Sequence, residues 1–383
     1  MAFDNFLNEE QQAWRDTLHR FMDKEITREY IRQCDMDRAY YYEGYEKIAK
    51  MGWLGILVPE EYGGMGADAM SYALFCEAMA KYGFDFSGAC LGVTTYTAQN
   101  LVKYGNKDQI DRYLRPYLDG KVRFCVSISE PQAGSDAAST RTRAVRDGDH
   151  YVINGLKQWC SGSSAEGAVI CMLVRTDPDA EKRKGLSCIL VPNDAPGLEL
   201  RKLKTLARRG TGTNQIFLDD CRVPVENLLG KEGQGRDIIT GHLELERVAV
   251  AAGYVGCAQQ AVTDALAYAH QREQFGRPIF EFQVLRHMLA DMQTEVDAAR
   301  LLTYRSAAKM DAGEPALREV SMAKLHASET LQKVSRQGIQ IMGGHGMLPE
   351  ADMERYFREG MQATIGGGTS QIQRTIIAQS MRH

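Results

Sequence analysis

The chain contains no Cys-x-x-Cys pair, although it has nine cysteines: Cys34, Cys76, Cys90, Cys125, Cys160, Cys171, Cys188, Cys221 and Cys257. They are odd in number and mostly sit among apolar neighbours, so they read as reduced core residues of a cytoplasmic protein rather than as a disulfide framework. No apolar run reaches membrane-spanning length. The first residues, Met1-Ala2-Phe3-Asp4-Asn5-Phe6-Leu7-Asn8-Glu9-Glu10, are acidic from the start and resemble neither a secretion signal nor an Arg-rich transit segment. A protein that is neither exported nor embedded is expected. Excess charge is lacking too: 46 basic against 50 acidic residues leave a net charge of −4. The densest basic run, Arg201-Lys202-Leu203-Lys204 with Arg208-Arg209, is short and has no interleaved aromatics. It fits a solvated face or a phosphate contact better than a nucleic-acid surface. Finally, there is no Gly-x-Gly-x-x-Gly fingerprint, the usual sign of a parallel dinucleotide-binding sheet.

What is present is length enough, at 383 residues, for two or three domains and for burying a whole cofactor. Asn8 can cap a helix in which Trp14, Leu18, Phe21, Met22 and Ile26 recur at three- and four-residue steps. Further helices are expected at about 42–51, 67–81, 86–105 and 107–119. The stretch from Gly52 to Gly64 is broken by glycine and proline. Near Lys121 the period changes. Short β-branched segments at 123–128, 150–153, 167–174, 186–191 and 214–218 predict an all-β middle. After Gly230 the helical period returns, with a helix apolar nearly all round from Leu243 to Thr263 and others at about 283–312, 317–342 and 351–359. The expected class is α+β, with an N-terminal helical domain (1–120), a β-sandwich or barrel-like middle domain (121–232) and a C-terminal four-helix-bundle domain (233–383).

One stretch near the end invites a functional reading: Thr364-Ile365-Gly366-Gly367-Gly368-Thr369-Ser370-Gln371-Ile372-Gln373-Arg374. Three glycines let the backbone approach a partner closely, and a cofactor is one such partner. A simple turn is the other reading of a glycine cluster.

Five motifs, in order along the whole chain, resemble the acyl-CoA dehydrogenase family of flavoproteins. They are Ser129-Glu130-Pro131-Gln132-Ala133-Gly134-Ser135-Asp136, Ile153-Asn154-Gly155-Leu156-Lys157-Gln158-Trp159-Cys160-Ser161, Gln271-Arg272-Glu273-Gln274-Phe275-Gly276 followed by Phe282-Gln283, Gln340-Ile341-Met342-Gly343-Gly344-His345-Gly346, and Gly368-Thr369-Ser370-Gln371-Ile372-Gln373-Arg374. The resemblance implies FAD as cofactor and removal of two hydrogens from Cα and Cβ of an acyl-CoA thioester, the redox step residing in the flavin. It places Ile128 and Ser129 at the flavin N5 and pyrimidine edge, Ser135 at phosphate or substrate, and Trp159 and Ser161 beside the isoalloxazine. Arg272, Gln274, Phe275 and Gln283, with Gln340, Gly343 and Gly344, correspond to the segment that grips the FAD pyrophosphate and adenosine of a neighbouring subunit, an Arg fork suiting a diphosphate. Thr369 and Gln371 are further cofactor contacts. A homotetramer, or a homodimer, is implied, and electron-transfer flavoprotein is the implied acceptor. No metal site is assigned.

One position departs from the family's commonest pattern. Most members place a catalytic glutamate where this chain has Gly367, and glycine cannot abstract a proton. A smaller branch, resembling isovaleryl-CoA dehydrogenase, carries its glutamate on the buried C-terminal helix in a Leu-x-x-Glu-Arg context. Here Leu243-Glu244-Leu245-Glu246-Arg247 matches it, so Glu246 is the expected base, with burial expected to raise its pKa. Arg247 would position or polarise the site. The Gly367 N–H would hold the thioester carbonyl, and the missing side chain would leave room for a short, branched or cyclic acyl group. Three other readings stay open: an enoyl-CoA reductase of the crotonobetainyl-CoA kind, a flavin oxidase or monooxygenase on the same fold, and a non-catalytic flavin-binding scaffold.

Overall fold

A computed structural model describes residues 6–381, Ala89 by its backbone alone. Asn8 accepts from the Gln11 N–H at 2.8 Å while the Gln11 side chain accepts from the Asn8 N–H at 3.2 Å, a reciprocal capping box. It opens α1 (Glu9–Glu25), which is followed by α2 (Arg28–Asp37), α3 (Tyr42–Lys50) and α4 (Ala69–Met79). Where one helix is expected over 86–105, a π-helical segment, Asp85–Gly92, runs into α5 (Val93–Tyr104). Likewise α6 (Lys107–Gln109) and α7 (Arg115–Leu118) are joined by a π turn, Ile110–Leu114. Such insertions shift side-chain register without breaking the helix, and the apolar period does not reveal them.

The middle of the chain supplies β1 (Arg123–Ser127), β2 (Arg143–Asp147), β3 (His150–Ser161), β4 (Ala168–Arg175), β5 (Leu186–Pro192), β6 (Leu198–Leu203), β7 (Thr213–Pro224) and β8 (Leu228–Leu229). They connect in the order β6-β7-β3-β2-β4-β5-β8, with β1 parallel to β4. A single pair, Arg143↔Arg175, links β2 to β4. The sheet is therefore two mainly antiparallel leaves with a narrow hinge. Ile153, Cys160, Ile216 and Cys221 of one leaf share a dry core with Cys125, Ile170, Met172, Ile189 and Val191 of the other. That is the packing of a sandwich.

The C-terminal part holds α8 (Gly235–Gly241), α9 (Leu243–Gln271), a two-stranded hairpin β9 (Glu273–Gln274) and β10 (Arg277–Pro278), α10 (Gln283–Asp311), α11 (Leu317–Met342), α12 (Met353–Ala363) and α13 (Ser370–Ser380). Buried residues of α9 to α12 form one cluster, including Tyr254, Val262, Met292, Val296, Leu331, Val334 and Tyr356. All nine cysteines are buried and unpaired as disulfides. No described helix is long and apolar enough to cross a membrane.

Two compact units result, one made of residues 6–36, 68–88 and 244–381, the other of 37–67 and 89–243. The N-terminal helices are thus shared between them. Buried ion pairs explain why part of the N-terminus belongs with the C-terminal helices. Arg358 forks onto Asp35, Arg300 Nε donates to Glu77 Oε1 at 2.8 Å, Arg28 Nη2 donates to Asp264 at 2.8 Å, and Asp311 caps α4 by accepting from Ala69 and Met70 N–H. Removing one member of such a pair would leave an uncompensated buried charge, which enforces the association.

Candidate active site

In the sheet unit, Ile128 and Ser129 follow β1, and β3 carries Trp159 and Ser161. The two segments are bound to each other: Gln158 N–H donates to Ser129 O at 2.9 Å, and the buried Lys157 ammonium donates to Ile128 O at 3.1 Å and to Glu130 Oε1 at 2.9 Å. Glu130 also accepts from Arg141 N–H, Thr142 N–H and the Gln132 amide. Burial resists ionisation of Glu130, yet Lys157 and these N–H groups hold its carboxyl down at about 2. Burial draws the Lys157 ammonium down to about 8 against the pull of Glu130. The pairing of β3 with β7 breaks register between Lys157 and Cys160. Trp159 sits in that bulge with φ 66, a left-handed backbone that a tryptophan rarely adopts, and its side chain is 56 % exposed while Cys160 turns inward. Strain of this sort persists where the surroundings impose it, and here it aims a flat apolar ring outward. Ser161 Oγ lies 3.3 Å from Thr213 Oγ1. Ser135 is exposed in a turn next to Asp136, which pairs with Lys182.

In the helical unit, six of the seven residues expected around FAD phosphate and adenosine line one open cavity of about 680 Å³: Arg272, Gln274, Phe275, Gln340, Gly343 and Gly344. Gln283 is not on its wall, although its neighbours Val284 and Leu285 are. Phe275 (φ 55) and Gly276 (φ 80) are the two central residues of the β9–β10 hairpin, the type I′ geometry that matches strand twist. That turn holds the Phe275 ring 93 % exposed. Gly343 ends α11 at φ 59, ψ −139, a conformation for glycine alone, and a Cβ at Gly343 or Gly344 would meet no atom within 4 Å. A guanidinium, two amides, bare glycine backbone and an apolar wall of Ile279 and Phe282 form a donor set and shape that fit a dinucleotide's phosphates and base.

The same unit brings together the residues bearing on the base. A Cβ at Gly367 would lie 3.5 Å from Glu246 Oε1 and 3.9 Å from Lys324 Cε. Gly367 and Glu246, the two positions that the resemblance relates to a base, are far apart in sequence and meet at one point. Gly367 and Gly368 have φ 65 and 89, so the turn itself calls for glycine. Thr369 caps α13 by accepting from Ile372 N–H at 3.2 Å, and Thr369 and Gln371 line a second open cavity of about 420 Å³ with Glu329, Gln332, Thr364, Ile365 and Ser370. Glu246 is half-buried on the first turn of α9. Arg247 is buried, and its Nε has no hydrogen-bond partner among the described residues. Burial lowers its pKa from the ordinary guanidinium value, against Glu246 and Glu244. Lys324, on α11, is fully buried and donates to Ala363 O at 3.0 Å and Gly368 O at 2.7 Å. Burial draws its pKa down to about 8, with Glu246 opposing and Arg247 assisting. The Gln373 amide donates to Gly367 O and Gly368 O. Sequence reading passed over Lys324 and Gln373, because a lysine on an amphipathic helix and a glutamine after a cap look like surface residues.

Family models match in three consecutive pieces: acyl-CoA dehydrogenase N-terminal domain over residues 8–121, middle domain over 125–221 and C-terminal domain over 233–382. The chain is 37 % identical to the "Probable acyl-CoA dehydrogenase YngJ" of Bacillus subtilis, over 98 % of both chains. It is 34 % identical to the caffeyl-CoA reductase-Etf complex subunit CarC of Acetobacterium woodii, covering 97 % of this chain and 98 % of that one. Among solved structures, butyryl-CoA dehydrogenase from Megasphaera elsdenii superposes with TM-score 0.91 at 29 % identity, covering 98 % and 99 % of the two chains. The chain belongs to the acyl-CoA dehydrogenase family and is an FAD-dependent oxidoreductase.

Proposed function

We propose that the protein catalyses α,β-dehydrogenation of an acyl-CoA thioester to the 2-enoyl-CoA, with Glu246 as the base that removes the Cα proton. The observation that carries this reading is the convergence of Glu246 Oε1 on the space in front of Gly367. A carboxylate from α9 stands where a side chain at 367 would begin. Bound FAD would supply the two-electron acceptor for the Cβ hydride. The Gly367 N–H would hold the thioester carbonyl and stabilise charge developing on its oxygen. Arg247, buried beside the base, would polarise the site. Trp159, Ile128, Ser129, Ser135 and Ser161 would orient the isoalloxazine and its surroundings. The Arg272–Gly344 cavity, with Gln283 at its edge, would take the phosphates and adenosine, and Thr369 and Gln371 would make further cofactor contacts. Direct attachment of the base to a helix matches the arrangement of the isovaleryl-CoA-like branch.

The exposed Phe275 hairpin supports a cofactor site completed by a second copy, in a homotetramer or homodimer. The glycine turn supports a short, branched or cyclic acyl group. Electron-transfer flavoprotein is the proposed acceptor, a reading supported by the similarity to CarC. That same relative, a reductase subunit, favours a second direction, reduction of an enoyl-CoA, in which Glu246 would return a proton to Cα.

The test is Glu246→Gln. The variant should retain FAD but lose anaerobic bleaching of the flavin band by acyl-CoA. Wild-type bleaching in that variant would sink the base assignment. Screening straight, branched, cyclic and aromatic acyl-CoAs in the same assay reads the substrate class.

A further inference from the structure

We propose that Lys324 is a positioning residue for the reaction: its buried ammonium holds Glu246 in the ionised, proton-accepting form and fixes the Gly366–Gly368 turn against which the thioester carbonyl binds. The inference rests on the assignment of Glu246 as base and adds to it a group on a different helix.

Three observations carry it. Lys324 is fully buried in the helical unit, yet it donates to two backbone carbonyls, Ala363 O at the end of α12 and Gly368 O in the turn. A lysine seldom stays buried only to bond two neutral carbonyls, because desolvating an ammonium costs several kcal/mol. A compensating anion is expected, and the Glu246 carboxylate supplies one. Second, Glu246 Oε1 and Lys324 Cε both lie within 4 Å of the same point, the place of a side chain at 367. Third, the three glycines have no side chains to stiffen the turn, and its carbonyls are held by Lys324 at 368 and by Gln373 at 367 and 368, while Lys324 also bonds Ala363 O at the end of α12. Pulling these carbonyls toward α11 and α13 restrains the peptide planes that carry the turn's N–H groups.

From α9, Glu246 attracts the ammonium and Arg247 repels it; from α11 itself, Glu329 attracts it. Glu329 is engaged by Arg374 of α13, with Nη1 and Nη2 contacts of 2.8 and 2.9 Å. Of these charges, Glu246 acts most strongly on the ammonium. The ammonium, lying near the same point as the carboxylate, favours the charged form of Glu246 over the protonated one. Without the cation its affinity for a proton rises, and a smaller fraction is competent to accept the Cα proton.

The experiment follows Cα hydrogen–deuterium exchange of a 3-thia-acyl-CoA by NMR across pH. The sulfur at position 3 leaves no Cβ hydride to transfer, so exchange reports proton abstraction alone. Wild-type FAD-loaded enzyme is compared with Lys324→Gln, which can still donate to a carbonyl but has no charge, and with Lys324→Met, which can do neither. Both variants should move the acidic limb of the exchange profile up by about one to two pH units, the effect of losing a unit charge at this range. Lys324→Met should in addition weaken binding of the thioester several-fold, while Lys324→Gln should bind it nearly as wild type. A Lys324→Gln enzyme with full FAD content and an unshifted limb would overturn the proposal. So would a Lys324→Gln chain that neither folds nor binds FAD, since the ammonium would then serve the fold alone. Exchange that persists in Glu246→Gln would instead remove the base assignment, a failure distinguishable from the other two.

Discussion

Lys157→Met should cost much of the sheet unit's stability, and the loss should be largely reversed by also changing Glu130, while cofactor binding should not recover. The substitution leaves the 3 % exposed Glu130 carboxylate with only N–H partners. Breaking one side of a buried pair typically costs 3–5 kcal/mol. For a unit of this size that is a fall in Tm of about 6–20 °C. The intact pair contributes little net stability at neutral pH. Glu130, with its folded pKa depressed to about 2 from 4.5, adds stability that is fully present above pH 4.5 and is lost as pH falls toward 2. Lys157, depressed to about 8 from 10.5, opposes folding below pH 8, and that opposition fades as pH rises through 10.5. The two shifts are similar in size and opposite in effect.

Glu130→Gln with Lys157→Met should therefore restore more than half of the lost stability in a thermal melt, as a coupled double-mutant cycle. The Lys157 bond to Ile128 O is absent in both variants. FAD affinity, measured by release from the holoenzyme, should stay weakened in the double variant. Additive effects on Tm would refute the coupling, and wild-type FAD affinity in the double variant would refute the positional role of Lys157. Between pH 4.5 and 2 the wild type should lose stability that Glu130→Gln does not.

Trp159→Asn should release backbone strain, because asparagine tolerates the left-handed region at φ 66, raising the melting point of apoprotein by about 1 kcal/mol equivalent while weakening FAD binding. A simultaneous loss of apoprotein stability would contradict that reading of the bulge. Gly343→Ala should cost about 1–3 kcal/mol through its φ 59, ψ −139 backbone and lower FAD content, checked by melting and flavin absorbance. Gly367→Ala, at φ 65 with its Cβ at ordinary contact distance from Glu246, should lose about 1–2 kcal/mol in stability but far more in turnover of the bulkiest accepted acyl-CoA, read as kcat/KM across a substrate series.

Elements with strong periodicity were legible in the residues. The helix expected at 317–342 coincides with α11, and β4 and β5 lie where unbroken apolar runs predict buried strands. Elements that escaped have weak local signals. β6, Leu198–Leu203, alternates apolar with charged side chains, so half of it looks like part of a basic run; α13 follows the glycine turn closely enough to read as its tail. The π segments are invisible because one extra residue in a turn leaves the apolar pattern helical; within the first, the Phe84 ring four residues earlier fills the space where a Cβ of Gly88 would stand. In the helical unit, glycines and motif residues pointed to the cavity lined by Arg272, Phe275 and Gly343, since backbone geometry restricts which residues can stand there. The buried Lys157 and Lys324 did not announce themselves, because nothing local distinguishes a buried lysine from a solvated one.

Those two lysines share a design. Lys157 in the sheet unit and Lys324 in the helical unit are each fully buried, each near a carboxylate, and each donates to a backbone carbonyl beside a proposed cofactor or substrate contact: Ile128 O in one case, Gly368 O in the other. Burial lowers both to about 8. A neutral hydrogen-bonding side chain could satisfy either carbonyl at lower desolvation cost. A carboxylate accounts for each charge: Glu130 is ion-paired with Lys157, and Glu246, the proposed base, acts on Lys324 through space. The difference between them is access: Glu130 is buried among N–H donors, so its ionisation stiffens a loop, whereas Glu246 is half-buried with Oε1 in front of Gly367. In the proposed role, Glu246 takes up the Cα proton while a cation fixed on another helix favours its charged form, and the turn itself need not move.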